Sequence, residues 1–124
     1  MADILFKDES FVIIGICMEI YNTLGMGLKE INYKDALEID LSEKQIPFER
    51  EKRYKVQYKS KFLPHPYIAD FLVYNSIILE IKSASVINEA YFAQTLHYLK
   101  VSRMRLGMII NFGEKSLAWK RVVV

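Results

Sequence analysis

The sequence predicts an α/β chain: an α/β/α sandwich with a central mixed sheet of about five strands. Three observations lead there. Periodicity along the chain gives the order helix, helix, three strands, helix, two strands, and helices on both sides of a run of strands require a sheet covered on both faces. The stretch "LGMIINFG", Leu106 to Gly113, is apolar almost throughout and reads as a fully buried strand. A helix separates it from "IILEIKS", so the crossover rule makes these two strands parallel.

Each element follows from local signals. Residues from Asp8 to Leu24 read as a first helix, with Asp8 or Ser10 available as a cap and Gly25 as its stop. "GMG" makes a tight connection to a second helix from Lys29 to Gln45, which Pro47 prevents from running on. In that helix Glu30, Tyr33, Leu37 and Leu41 fall at i, i+3, i+7 and i+11, which puts Glu30 on the core-facing stripe and Lys34, Glu38 and Glu43 in solvent. A first-turn carboxylate at a helix N-terminus is the plain alternative for Glu30.

"KRYKVQYKSKF" alternates Tyr54, Val56 and Tyr58 with polar residues, the period-two pattern of a strand with one wet face. Pro64 and Pro66 interrupt it. Strands follow at Tyr67–Val73 and Ile77–Ser83, then a helix from Asn88 to Val101, then "LGMIINFG" and "SLAWKRVVV".

A chain of 124 residues fits one domain, expected to span 1–124, and 52% hydrophobic with 26% charged residues is a globular balance. The net charge of +2 permits nucleic-acid binding without arguing for it. Cys17 is the single cysteine, so neither an intramolecular disulfide nor a cysteine-bound cluster can form, and its apolar setting reads as an inert thiol. "FVIIGICM" follows Asp3, Asp8 and Glu9, is cut off by Glu19 and is too short to span a bilayer, so it reads as neither leader nor anchor. A soluble cytoplasmic protein is expected.

The chemistry concentrates in "ADFLVYNSIILEIKSAS", a hairpin holding Asp70, Glu80 and Lys82 among branched aliphatics. Such charges are costly unless paired or bound to metal. Glu80 and Lys82 share a face with Ile78; Asp70 shares one with Ile68 and Leu72. A two-residue turn at Asn75-Ser76 would put the carboxylates on opposite faces, whereas a three-residue loop centred on Asn75 sets Asp70 opposite Glu80. Facing carboxylates repel, and a hard divalent cation with open water positions, Mg²⁺ or Mn²⁺, would neutralise them. Lys82 could then act on a water or a phosphate. A structural ion pair between Lys82 and either carboxylate is the alternative.

This D-x9-E-x-K hairpin resembles the metal-binding core of the PD-(D/E)XK nuclease superfamily. "GLKEINY", Gly27 to Tyr33, matches the motif that names the GxxExxY protein family, placed in that superfamily. "MEIYNTLGMGLKEINYKDAL", "PFEREKRYKVQYK", "YIADFLV", "IILEIKS", "AQTLHYLK" and "GMIINFG" fall in the family's order, so the resemblance runs nearly end to end. It implies a restriction-endonuclease-like core. It also implies Asp70 and Glu80 as metal carboxylates with the Ile81 carbonyl, Lys82 as the catalytic lysine, and Glu30 as the helical acid facing the site, on the metal through a water or directly. Gln94 and Tyr98 match the Q-x3-Y element of RecB-like members, at i and i+4 on one helix face; without the family they would read as an ordinary amphipathic helix. The pattern more often has histidine at Tyr21 and proline at Met26. His65, between prolines, and His97, on another helix face from Tyr98, are not replacements.

The function implied is metal-dependent hydrolysis of phosphodiester bonds in nucleic acid, with DNA the first choice, using Mg²⁺ or Mn²⁺ and no iron–sulfur cluster. A catalytically inactive module on the same fold, binding nucleic acid or a protein, is the alternative. Arg53, Lys55, Lys59 and Lys61 alternate with tyrosines and could track a backbone, or could be the solvated face of an edge strand. A homodimer or a larger nuclease complex stays open as the working form, and no membrane partner is expected.

Overall fold

The structure is a computed structural model that describes residues 4–124. Asp3, used above in reading the N-terminal segment, lies outside the described residues. The elements are α1 (Lys7–Leu24), α2 (Glu30–Glu43), β1 (Phe48–Tyr54), β2 (Gln57–Tyr58), β3 (Lys61–Phe62), β4 (Tyr67–Val73), β5 (Ile77–Lys82), α3 (Glu89–Ser102), β6 (Leu106–Asn111) and β7 (Ala118–Val123).

A five-stranded sheet, ordered β1-β4-β5-β6-β7, forms the central layer. Its pairings are antiparallel except β5–β6, which is parallel across α3 as the crossover argument requires. On one face Ile13 and Ile20 of α1 and Tyr33, Leu37 and Leu41 of α2 pack against Phe71, Ile77, Leu79 and Met108. On the other, Leu99 of α3 packs against Ala69, Leu72, Ile78 and Ile109. The expected mixed sheet with helices on both faces is therefore the observed architecture. Among the described residues no helix is long and apolar enough to cross a membrane.

Boundaries moved where local chemistry differed from the sequence reading. Neither Asp8 nor Ser10 caps α1: the N-cap is Phe6 with φ 52°, and the Ser10 hydroxyl donates to the Phe6 carbonyl. Helix α2 begins one residue after Lys29, whose amide donates to Asn32 Oδ1 at 3.2 Å. Asn88 caps α3 by accepting the Tyr91 amide at 3.0 Å. The largest departure is in "KRYKVQYKSKF". The sheet strand β1 starts earlier, at Phe48, and ends at Tyr54; the rest folds into the β2–β3 hairpin, where Lys59 turns the chain with φ 56°. The Leu63 amide closes it on the Val56 carbonyl at 2.8 Å.

The C-terminal ends of β5 and β6 are tied by the buried side chain of Asn111, which exchanges hydrogen bonds with both main-chain groups of Ala84. This close approach needs glycine at Gly113, because a Cβ there would overlap the Ala84 backbone. Gly113→Ala is expected to lower stability by about 2–3 kcal/mol in urea unfolding. Cys17 is fully buried, and burial, then the Asp40 carboxylate, push its thiol up to about 12. Native protein at pH 8 should therefore resist thiol reagents, and unfolded protein should react with one equivalent.

Candidate active site

The β4–β5 loop has three residues, Tyr74 to Ser76, with φ of 56° at Tyr74 and 54° at Asn75. The ladder runs Val73↔Ile77, Leu72↔Ile78 and Phe71↔Leu79. Its next step is Asp70 and Glu80, the register that the three-residue loop demands. There the main-chain ladder gives way to side chains. The Asp70 amide donates to Glu80 Oε2 at 3.1 Å, and the Ile81 amide donates to Asp70 Oδ2 at 2.7 Å.

Strand β4 also turns over at Asp70. Tyr67 and Ala69 lie in the α3-side core, yet Phe71 and Val73 lie in the α1/α2-side core. Asp70 therefore does not share one face with both Ile68 and Leu72, because the alternation that places them together fails at this residue. Strand β1 does the same beside it: Phe48 packs on the α1/α2 side and Tyr54 on the α3 side. Arg50↔Phe71 and Lys52↔Ala69 are paired, Glu51 between them is not, and Glu51 has φ 56°. A left-handed conformation outside glycine costs about 1–2 kcal/mol.

The turn-over brings Asp70 within reach of α2. Lys34 Nζ donates to Asp70 Oδ1 at 3.1 Å and to Glu51 Oε1 at 2.5 Å. Lys34, expected in solvent, is 9% exposed, whereas Glu30, expected on the core stripe, is exposed. The stripe of Tyr33, Leu37 and Leu41 is buried as expected, and Lys34, one position along from it, is drawn in beside it by the two carboxylates. Burial lowers the Lys34 pKa, but Glu51 and Asp70 outweigh it and hold the ammonium above its usual range.

Glu80 is 5% exposed. Tyr67 donates its hydroxyl to Glu80 Oε1 at 3.2 Å, and its ring is stacked between Tyr54 and Tyr98 with centroids 5.7 and 3.7 Å away. Burial, then the charge of Asp70, push Glu80 up to about 7, against the opposing Asp70 amide, Lys82 and Tyr67 hydroxyl. Burial and the Glu80 charge also raise Tyr67 and Tyr98.

Lys82 lies on the α3 side with its ammonium 4.7 Å from the Tyr91 ring centroid. Among the described residues it makes no ion pair with Asp70 or Glu80. Glu30 stands at the end of β5, where its Oε2 accepts the Ser83 amide at 3.2 Å. Its neighbours in the motif shape that corner: Gly27 adopts φ 107°, and the buried Tyr33 hydroxyl donates to the Gly25 carbonyl at 2.6 Å. Tyr21, where histidine is more usual, donates to the Glu114 carbonyl at 2.5 Å.

The structure thus brings Asp70, Glu80 and Lys82 to one end of the hairpin, with Tyr98 joined through Tyr67 and Glu30 at the rim. Gln94 is exposed on α3 and makes no side-chain hydrogen bond among the described residues. Arg53 is exposed on the edge strand β1, while Lys55, Lys59 and Lys61 belong to the β2–β3 segment. There Lys55 sits 5.2 Å from the Phe62 ring and Lys59 5.3 Å from Tyr58.

Four residues at the site escaped the sequence reading: Lys34, Glu51, Tyr67 and Tyr91. Tyr91 had a signal, falling at i−3 and i−7 from Gln94 and Tyr98 on the same helix. Lys34 had none, since a hydrophobic helical stripe assigns a lysine to solvent. Glu51 had none, since an unbroken strand would turn it outward.

Among the described residues no three His, Cys, Asp or Glu side chains gather into a metal-binding cluster, so Glu30 stands apart from the carboxylate pair. The pair itself fits a hard divalent cation. Its donors are carboxylate oxygens, and Glu80, pushed up to about 7 first by burial and then by the charge of Asp70, is a group that a cation between the two acids would hold ionised.

That rise fixes the sign of a pH effect in metal-free protein. Between 4.5 and about 7 native Glu80 keeps a proton that the unfolded chain has lost. Stability contributed by this group is therefore full below 4.5, falls as pH rises through the window and stays lost above it. Glu80→Gln, with its amide turned to the Tyr67 oxygen, should raise stability at pH 8 by about 1–3 kcal/mol in thermal melts with chelator. It should also flatten the slope below pH 7.

Among solved structures, the chain is similar to one described as "Crystal structure of SSO0001", with a TM-score of 0.59 at 18% identity. The match covers 73% of this chain and 47% of the other, so this chain spans about half the length of that protein, and the likeness is one of fold. No curated protein matches the sequence. A family model described as the PD-(D/E)XK nuclease superfamily matches residues 7–122, from the first residue of α1 to the penultimate residue of β7. The chain belongs to the PD-(D/E)XK nuclease superfamily.

Proposed function

We propose that this chain is a metal-dependent nuclease that hydrolyses phosphodiester bonds in nucleic acid, DNA first, and that it belongs to the GxxExxY family with RecB-like features. The observation that carries the reading is that Lys82 has no ion-pair partner among the described residues. A scaffold would use Lys82 to neutralise Asp70 or Glu80, but its ammonium rests over Tyr91 and Lys34 answers Asp70 instead.

Asp70 and Glu80, with the Ile81 carbonyl, would hold Mg²⁺ or Mn²⁺, and Glu30 would reach it through a water. The cation would polarise the scissile phosphate and supply a water of lowered pKa. The chain's own groups do the rest. The hydrogen bonds from the Asp70 and Ile81 amides fix both carboxylates before substrate arrives. Lys82, held over the Tyr91 ring, orients the attacking water or meets charge building on the phosphate. Tyr98, locked by its stack on Tyr67, and Gln94 one turn earlier line the path of the strand. Arg53, Lys55, Lys59 and Lys61 supply phosphate contacts farther out.

The test is cleavage of labelled single-stranded, duplex and flapped DNA, and of RNA, with Mg²⁺ or Mn²⁺. Asp70→Asn and Lys82→Ala should each lower the rate at least about 100-fold. Absence of cleavage together with absence of Mn²⁺ binding in calorimetry would favour the inactive binding module.

A further inference from the structure

The reaction sketched above leaves one buried charge unused. Lys34 is 9% exposed, and an ammonium so enclosed persists only among anions. It donates to Asp70 Oδ1 and Glu51 Oε1. Glu51 reaches it through a departure from strand geometry, a φ of 56° where the β1–β4 ladder skips a step. A left-handed strand residue thus holds the buried cation that donates to one oxygen of Asp70. Non-glycine residues in this backbone region cluster at functional sites, where surrounding structure holds the strain.

Resting on the reading of Asp70 and Glu80 as ligands of a divalent cation, we infer that Lys34, anchored by Glu51, is the resident counter-cation of Asp70 and sets how tightly the site takes that metal. A divalent cation bound by Asp70 must share the carboxylate with the ammonium, and the two repel through a poorly solvated medium. Glu51 acts in the opposite sense. It draws the ammonium toward itself and adds negative charge beside the site. Lys34 is therefore a positioning residue that works through Asp70. It keeps the empty site folded and only modestly receptive, so that phosphate oxygens arriving with substrate complete the cation's shell.

The test is Mn²⁺ calorimetry on the metal-free full chain, with Lys34→Met, Lys34→Gln and Glu51→Gln beside the unaltered protein. Both Lys34 variants should bind Mn²⁺ about tenfold more tightly. Their thermal midpoints should rise more on adding Mn²⁺ than that of the unaltered chain. Glu51→Gln should bind a few-fold more weakly. Opposite signs are the signature, since a lysine that merely held Asp70 in place would weaken binding when removed. Lys34→Gln keeps a hydrogen-bond donor and carries the test if Lys34→Met fails to fold. Binding seen only in the Lys34 variants would support the inference. Binding by the unaltered chain that is equal or weaker in those variants would overturn it and leave the metal reading standing. No Mn²⁺ binding by any of them would overturn both.

Discussion

Two carboxylates set opposite each other in a hairpin repel, and much of the surrounding structure is organised about that repulsion. Ordinary β pairing would join Asp70 and Glu80 through main-chain bonds and leave both side chains crowded on one face. Instead the ladder stops at Phe71↔Leu79, and each carboxylate accepts a main-chain amide. These bonds satisfy one oxygen on each acid. Lys34 answers the other oxygen of Asp70, and the Tyr67 hydroxyl answers that of Glu80. The two acids are thereby made unequal. Asp70 has an ammonium beside it, while Glu80, more deeply buried, meets a neutral donor and is the one pushed up to about 7.

The same constraint links the two layers of helices. Because β1 and β4 both turn over at Glu51 and Asp70, the edge of the sheet presents a carboxylate to α2 while Tyr67 and Tyr54 present aromatic faces to α3. Helix α2 answers with Lys34, and its first turn answers with Glu30 at the end of β5. Helix α3 answers with Tyr98 on Tyr67 and Tyr91 under Lys82. A regular strand at Asp70 would leave its carboxylate on one face and deny it to α2. The distortion, with its cost of about 1–2 kcal/mol at Glu51, is what lets both layers touch one site.

The parts of this arrangement that rest on local rules could be read from the sequence. Parity alone tied the meeting of Asp70 and Glu80 to a three-residue loop, and Asn75 tolerates the positive φ that such a loop uses. The layer order followed from helix and strand periods, and the parallel β5–β6 pair from the connection through α3. The turn-over was not legible. Period-two reading assumes that every strand residue keeps negative φ, and nothing in "FEREKRY" marks Glu51 as the exception. The burial of Lys34 was hidden for the same reason, since it answers a carboxylate whose position depends on that turn-over. A helical stripe scored by hydrophobicity will always assign a lysine to solvent, and only the long-range charge pattern reverses it.

The electrostatic asymmetry of the site bears on how a chain of net charge +2 could grip a polyanion. General attraction of phosphates by such a chain is weak and screened over about 10 Å at ordinary salt. Binding must then depend on cations held close to the reacting phosphate. Arg50 is committed to Asp35 and Glu38, Lys52 to Glu49, and Lys34 to Glu51 and Asp70. Lys82 is the cation at the hairpin's end that is left unneutralised by any carboxylate among the described residues. Asp70, Glu80 and Glu51 set against Lys34 and Lys82 leave the centre net negative when Glu80 is ionised, which would turn phosphate away. On the proposed reading a divalent cation inverts that sign, so metal binding and substrate binding become one coupled event rather than two independent ones. Lys82 then adds its charge to an already positive centre, and the neutral aromatic face of Tyr91 holds it ready without quenching it.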